Sequence, residues 1–88
     1  MTRRYESYAD VDGFIKIPSF TLISSKINEM REHIREQSSE GREPNFETIY
    51  VSRVGNDIFS VDGKHRLKAL ELEYTENGLI VPFSLYFV

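Results

Sequence analysis

Asp62, Gly63, Lys64, His65 and Arg66 follow one another in the stretch FSVDGKHRLKAL, Phe59 to Leu70, and no other part of the chain carries chemistry so clearly. The planar guanidinium of Arg66 can grip two phosphate oxygens, Lys64 can act as a mobile point charge, and His65 can give or take a proton near neutral pH. Gly63 lets backbone approach a ligand closely. The stretch falls where a predicted strand passes into a predicted helix. The first amides of a helix point outward unpaired, and its macrodipole adds partial positive charge there. Phosphate is the ligand this pattern predicts. A purely structural alternative has Asp62 capping the helix, Gly63 making the turn and three cations in solvent. Cations at the positive end of a helix cost stability, however, unless an anion or carboxylate offsets them.

The elements that must position these residues can be read from periodicity. GFIKIPSF alternates and then meets Pro18, which predicts a short strand from Gly13 to Pro18. Ile27, Met30 and Ile34 recur at helical spacing from Ser24 or Ser25 to about Ser38, and either serine can cap the start. SSEGREPN reads as a loop. TIYVSRV and DIFSV then flank Gly55-Asn56, a hairpin with a two-residue turn. DGKHRLKALELEY opens a second helix with Leu67, Leu70 and Tyr74 on one stripe, widened by Ala69 and Leu72, and Gly78 suits its end. LIVPFSLYFV is a terminal strand in which Pro82 implies an edge or a late start to pairing. The order strand, helix, strand, strand, helix, strand predicts an α+β fold with a mixed sheet of about four strands and two main helices. Residues 1–12 read as an N-terminal arm and 13–88 as the single domain.

With 88 residues there is room for one small core, and 40% apolar and 28% charged residues are globular proportions. The formal charge of -3 opposes a protein that coats nucleic acid electrostatically, while leaving a local basic patch open. The absence of cysteine excludes disulfides, thiolate metal sites and thiol nucleophiles. No apolar run follows Arg3 and Arg4 and none is long enough to span a bilayer, so the expectation is a cytoplasmic protein without membrane attachment.

Four further features carry weaker signals. His33 reads as helix surface, and a metal site shared by His33 and His65 has no spacing signature. Asp10, Asp12 or Glu47 could supply a base if folding brings one close. Among the five tyrosines and six phenylalanines, most should be core. Tyr5 and Tyr8, beside Arg3 and Arg4, could instead stack on a single strand or pack as an ordered arm on the sheet. LYFV, apolar to the last residue, could pair with a second copy as a homodimer edge.

From Gly13 to Val88, the strand DIFSV, the turn and helix start DGKHRLKAL, and the terminal strand resemble the N-terminal domain of ParB-like proteins. That superfamily includes sulfiredoxin and a free-serine kinase. The resemblance implies a ParB/sulfiredoxin-like fold, with Gly63, His65 and Arg66 as phosphate contacts of a nucleotide and Asp62 orienting the turn or a metal. Lys64 stands where sulfiredoxin has its reactive cysteine and where partition proteins have a hydrolytic glutamate, so neither chemistry carries over. The Asn-Pro-Arg segment and the helix-turn-helix half of the partition proteins have no counterpart in these residues.

Taken together, the expectation is a stand-alone domain binding nucleotide or nucleic-acid phosphate through Gly63, Lys64, His65 and Arg66. As an enzyme it would be a nuclease or a phosphoryl-transfer protein, with His65 as acid or base, Asp62 as metal or water orienter, and Mg2+ arriving with the nucleotide. The alternative is a non-catalytic accessory protein that binds DNA, RNA or a protein partner.

Overall fold

Gly55 takes a φ of 62° and no non-glycine residue has a positive φ among the described residues, so the Gly55-Asn56 turn is left-handed only at its first central position. That is the pattern of the primed turns whose twist matches antiparallel strands. The computed structural model describes residues 1–44 and 47–88. Phe46, expected among the core aromatics, and Asn45 of the predicted loop lie outside them.

Five strands and two helices follow in the order β1 (Thr2–Tyr5), β2 (Phe14–Lys16), α1 (Ser24–Ser39), β3 (Tyr50–Val54), β4 (Asp57–Asp62), α2 (Lys64–Asn77) and β5 (Phe83–Phe87), with short 3-10 turns at Tyr8–Asp10 and Ser19–Thr21. The sheet order is β1-β5-β3-β4-β2. The β3/β4 and β1/β5 pairs are antiparallel, and β2/β4 and β3/β5 are parallel. The fold is therefore α+β with a five-stranded mixed sheet. The additional strand comes from the segment that reads as an arm: Thr2 to Tyr5 pair with Tyr86 to Phe83.

That pairing selects the ordered-arm reading of Tyr5 and Tyr8 over the stacking one, and it corrects the expectation of an open edge at LYFV. Tyr5 is only 3% exposed and stacks on Phe83 at 5.4 Å between ring centroids, while Tyr8 packs near Tyr74 and Phe83. Neither ring presents itself for stacking on a single strand. β5 lies between β1 and β3, so its backbone pairs on both sides and the free edges are β1 and β2. A homodimer edge at LYFV is thereby closed. Pro82, which has no amide to donate, does mark a late start: pairing begins at Phe83.

One face of the sheet carries the core. Val51, Ile58, Phe83 and Leu85 are buried in one cluster with Ile27 and Ile34 of α1 and Leu67, Ala69 and Leu70 of α2. β2 and β4 are parallel and each leads into a helix, so both helices begin at the same end of the sheet. Their contacts confirm that they run in the same direction. Ile23, just before α1, meets His65 near the start of α2, and Arg31 meets Glu73 farther along both.

Between the helices lies a buried carboxylate that helical periodicity did not single out. Glu73 is 1% exposed and accepts from Arg31 Nε at 2.5 Å, from Arg35 Nη1 at 3.1 and 3.2 Å, and from Asn77 Nδ2 at 3.2 Å. Arg31 also reaches Glu76 at 3.0 Å. A buried charge is tolerable only when paired and hydrogen-bonded in this way. Glu73→Ala is expected to cost up to about 3–5 kcal/mol in urea denaturation, because it removes the buried partner of Arg31 and leaves that guanidinium with Glu76 alone. The double variant Glu73→Leu with Arg31→Met should recover most of that loss; a Glu73→Ala cost below about 1 kcal/mol would mean the pair contributes only as an exposed one does.

Candidate functional site

The end of β4 is bent before the turn begins. Tyr50 pairs with Asp62 but Val51 pairs with Ser60, leaving Val61 as the extra residue of a bulge. Bulges re-aim the chain and occur next to sites. Gly63 then takes a φ of 91° and serves as the N-cap residue of α2, with no side-chain cap bond. A Cβ at this position would stand 2.6 Å from Arg66 Nη1 and 3.3 Å from Ile49 Cα, so both the conformation and the space require glycine. Asp62, which the structural alternative makes the cap, ends β4 and makes no such bond.

α1 also begins without a side-chain cap. Its N-cap is Ile23, so Ser24 and Ser25 lie within the first turn rather than capping it. The Ile23 amide donates instead to His65 Nε2 at 3.0 Å. His65 therefore holds the start of one helix against the start of the other, acting as a hydrogen-bond acceptor. Acceptance at Nε2 requires the neutral ring with its proton on Nδ1. Burial, followed by the charges of Lys26, Lys64 and Arg66, pushes the His65 pKa below the ordinary histidine value, which favours that same neutral form.

Arg66 is likewise engaged. Its Nη1 donates to the Thr48 carbonyl at 3.1 Å and its Nη2 to Glu47 Oε2 at 3.1 Å. Glu47, expected to supply a base, is thus brought to the site as the counter-ion of Arg66. Asp12 goes elsewhere: it accepts from Arg3 at 2.7 Å, Arg53 at 2.9 Å and the Tyr5 hydroxyl at 3.3 Å, and although desolvation opposes it, a hydrogen bond from its own backbone and then the two arginines hold its carboxyl below the usual range. Asp10 is exposed and His33 partly buried on α1.

The space in front of this junction is a cleft of about 470 Å³ lined by Asp62 to Arg66, Val61, and Lys26, Glu29 and Met30 of α1. All five residues of the DGKHR stretch therefore meet in one place. Lys26 is the residue that sequence reasoning missed. Its position one turn into a helix of ordinary charge pattern gave no local signal; only the parallel placement of α1 beside α2 brings it to the cleft. Lys26 and Lys64 have no salt-bridge partner among the described residues, whereas Arg66 is paired with Glu47. The carboxylates of the cleft are Asp62 and Glu29, and the described residues contain no group of three or more His, Cys, Asp or Glu suited to a metal.

No family model matches the chain, and neither the curated proteins nor the solved structures contain a match. No helix among the described residues is long and apolar enough to cross a membrane.

Two outcomes test this geometry. Gly63→Ala should destabilise the fold by about 1–3 kcal/mol in denaturant melts, since a positive φ is strained for alanine and Arg66 must move; an unchanged midpoint would refute the close approach. The lowered His65 pKa means that the unfolded chain binds more protons than the folded one through the histidine range. Stability is therefore full above an unfolded histidine pKa of about 6.5 and is lost as pH falls below it towards the folded value. His65→Gln, which can accept through its amide oxygen without titrating, should flatten that loss between about pH 7 and pH 5. Equal slopes for the two proteins would show that His65 does not titrate against the Ile23 amide.

Proposed function

We propose that the cleft at Gly63 to Arg66 binds a phosphate group of a nucleotide or nucleic acid, and that the domain acts by binding rather than by turnover. The observation that carries this reading is the convergence of two helix N-termini, neither with a side-chain cap, on a cleft whose cations come from both helices. Unpaired amides and two positive macrodipole ends favour an anion there. The cations at the start of α2, unfavourable by local rules, become intelligible beside such a ligand. The resemblance of DGKHRLKAL to the ParB-like turn supports the same placement.

The role of each residue differs from the one its type suggests. Lys26 and Lys64 supply the charge, Gly63 the close backbone approach, and Arg66 braces the turn through Thr48 and Glu47. His65 Nε2 is committed to the Ile23 amide, which favours the accessory reading over acid-base catalysis. A phosphoryl-transfer role would require His65 to give up that bond. Magnesium carried in with a nucleotide would find Asp62 and Glu29 in the cleft, and carboxylates together with phosphate oxygens are a ligand set it accepts. It would neutralise phosphate charge.

The test is a calorimetric titration with ATP, CTP, GTP and inorganic phosphate, with and without magnesium. Lys64→Ala and Lys26→Ala should each weaken binding by about 5- to 30-fold and reduce its salt dependence, the loss expected for a charge-assisted contact. His65→Gln should leave affinity within about twofold, because the amide keeps the Ile23 bond. Binding that ignores both lysines, or no binding of any of these ligands, sinks the proposal; turnover abolished by His65→Gln at unchanged affinity would replace it with the enzymatic reading.

A further inference from the structure

The helices cover one face of the sheet and leave the other open. On the open face stand Tyr86 of β5, Tyr50 of β3, Phe59 of β4 and Phe14 of β2, one aromatic ring on each of four neighbouring strands. All four are exposed, Phe59 to 41% and Phe14 to 65%. Registers fix their arrangement. Tyr50 is level with Tyr86 and their rings meet edge to face at 5.4 Å, Phe59 is level with Ser52, two residues along β3, and Phe14 is level with Asp57, two further along β4. The rings therefore form a diagonal whose later steps, one strand across and two residues along, are each roughly 8 Å.

We propose that this diagonal is a track for single-stranded nucleic acid, with successive bases stacking on Tyr86 or Tyr50, Phe59 and Phe14. Base-to-aromatic stacking needs a row of rings at roughly nucleotide spacing with a cationic flank for the backbone. Lys16 lies level with Phe59 and supplies that flank. At the Tyr50 end, Asp62 is the cross-strand partner of Tyr50 and also lines the cleft that holds Lys26 and Lys64, so track and cleft meet at Asp62. Three glutamates stand on each helix, across the sheet from the track. Asp57 and Asp62 are acids of the open face, Glu43 and Glu47 line the hollow beside Tyr86, and together they confine the phosphates to the Lys16 side. A second copy laid face to face would have to bury Lys16, Asp57 and Asp62 between aromatic surfaces, with a desolvation cost that a single strand, open to water on one side, avoids. The inference deepens the phosphate-binding reading and rests on it for the cleft end of the track alone.

The test measures anisotropy of labelled oligothymidylate and oligouridylate with the wild type, Phe59→Ala, Phe14→Ala, Phe59→Trp and Lys64→Ala, beside the mononucleotide titration and sedimentation of each protein. Phe59→Ala and Phe14→Ala should each weaken oligonucleotide binding by roughly 5- to 150-fold, with Phe59→Trp restoring it and mononucleotide affinity unchanged. The exposed position of these rings keeps the variants folded, and matched melting curves verify it. Oligonucleotide binding that Phe59→Ala and Phe14→Ala leave intact, or no oligonucleotide binding beside intact mononucleotide binding, overturns the track and spares the cleft. Oligonucleotide binding that depends on Phe59 but not on Lys64 upholds the track while the cleft reading fails. A wild-type dimer that Phe59→Ala dissociates assigns the face to a second copy and overturns the proposal.

Discussion

Two helices lying side by side in the same direction set their dipoles against each other, and the rest of this fold is arranged around that constraint. The direction is imposed by the sheet: β2 and β4 are parallel neighbours, and each feeds a helix at its carboxyl end. Apolar contacts among Ile27, Ile34, Leu67 and Leu70 bring the helices together but leave like ends adjacent. The Arg31, Arg35 and Glu73 network ties them farther along, and Asn77 completes it. At the other end, His65 ties the Ile23 amide. Two positive helix ends are thereby fixed at one cleft, without side-chain caps to neutralise them.

The cost of that arrangement is offset locally by specific contacts. A neutral His65 adds no positive charge and supplies the acceptor that α1 lacks. Arg66 turns away from solvent to the Thr48 carbonyl and Glu47, so its charge is matched within the protein. Lys26 and Lys64 are left as the cations of the cleft without a salt-bridge partner among the described residues. The same contacts explain why a side chain at Gly63 is strained: a Cβ would displace Arg66 Nη1 and press on the Ile49 backbone. Fold and candidate site are thus held by the same few bonds.

Distribution of polarity separates the two faces of the sheet. The covered face takes Val51, Ile58, Leu85 and the Tyr5 and Phe83 stack, while Val54 and Val61 stay exposed. The open face keeps four aromatics and Lys16, with short hydroxyl side chains such as Ser52 and Ser84 between them. An 88-residue chain has too little interior to bury every large ring, and here four of the exposed rings fall on one surface in register, while Phe20 stands exposed apart from them.

What the sequence determined by itself was local. The period of Ile27, Met30 and Ile34 defined α1, Gly55-Asn56 defined the hairpin, Gly78 ended α2 with its φ of 64°, and DGKHR was placed correctly at a strand-to-helix junction. Each of these depends on neighbours within a turn or two, where side-chain spacing and backbone freedom are written directly in residue order. The tertiary structure decided the direction of the helices, the burial of Glu73, the arrival of Lys26, the bond from Ile23 to His65, and the pairing of Thr2 to Tyr5 with β5. Arg31 and Glu73 lie 42 residues apart, as do Ile23 and His65, and Met1 reaches Phe87 across 86. No periodicity spans such distances, and a glutamate reads as surface until the fold sets two arginines around it.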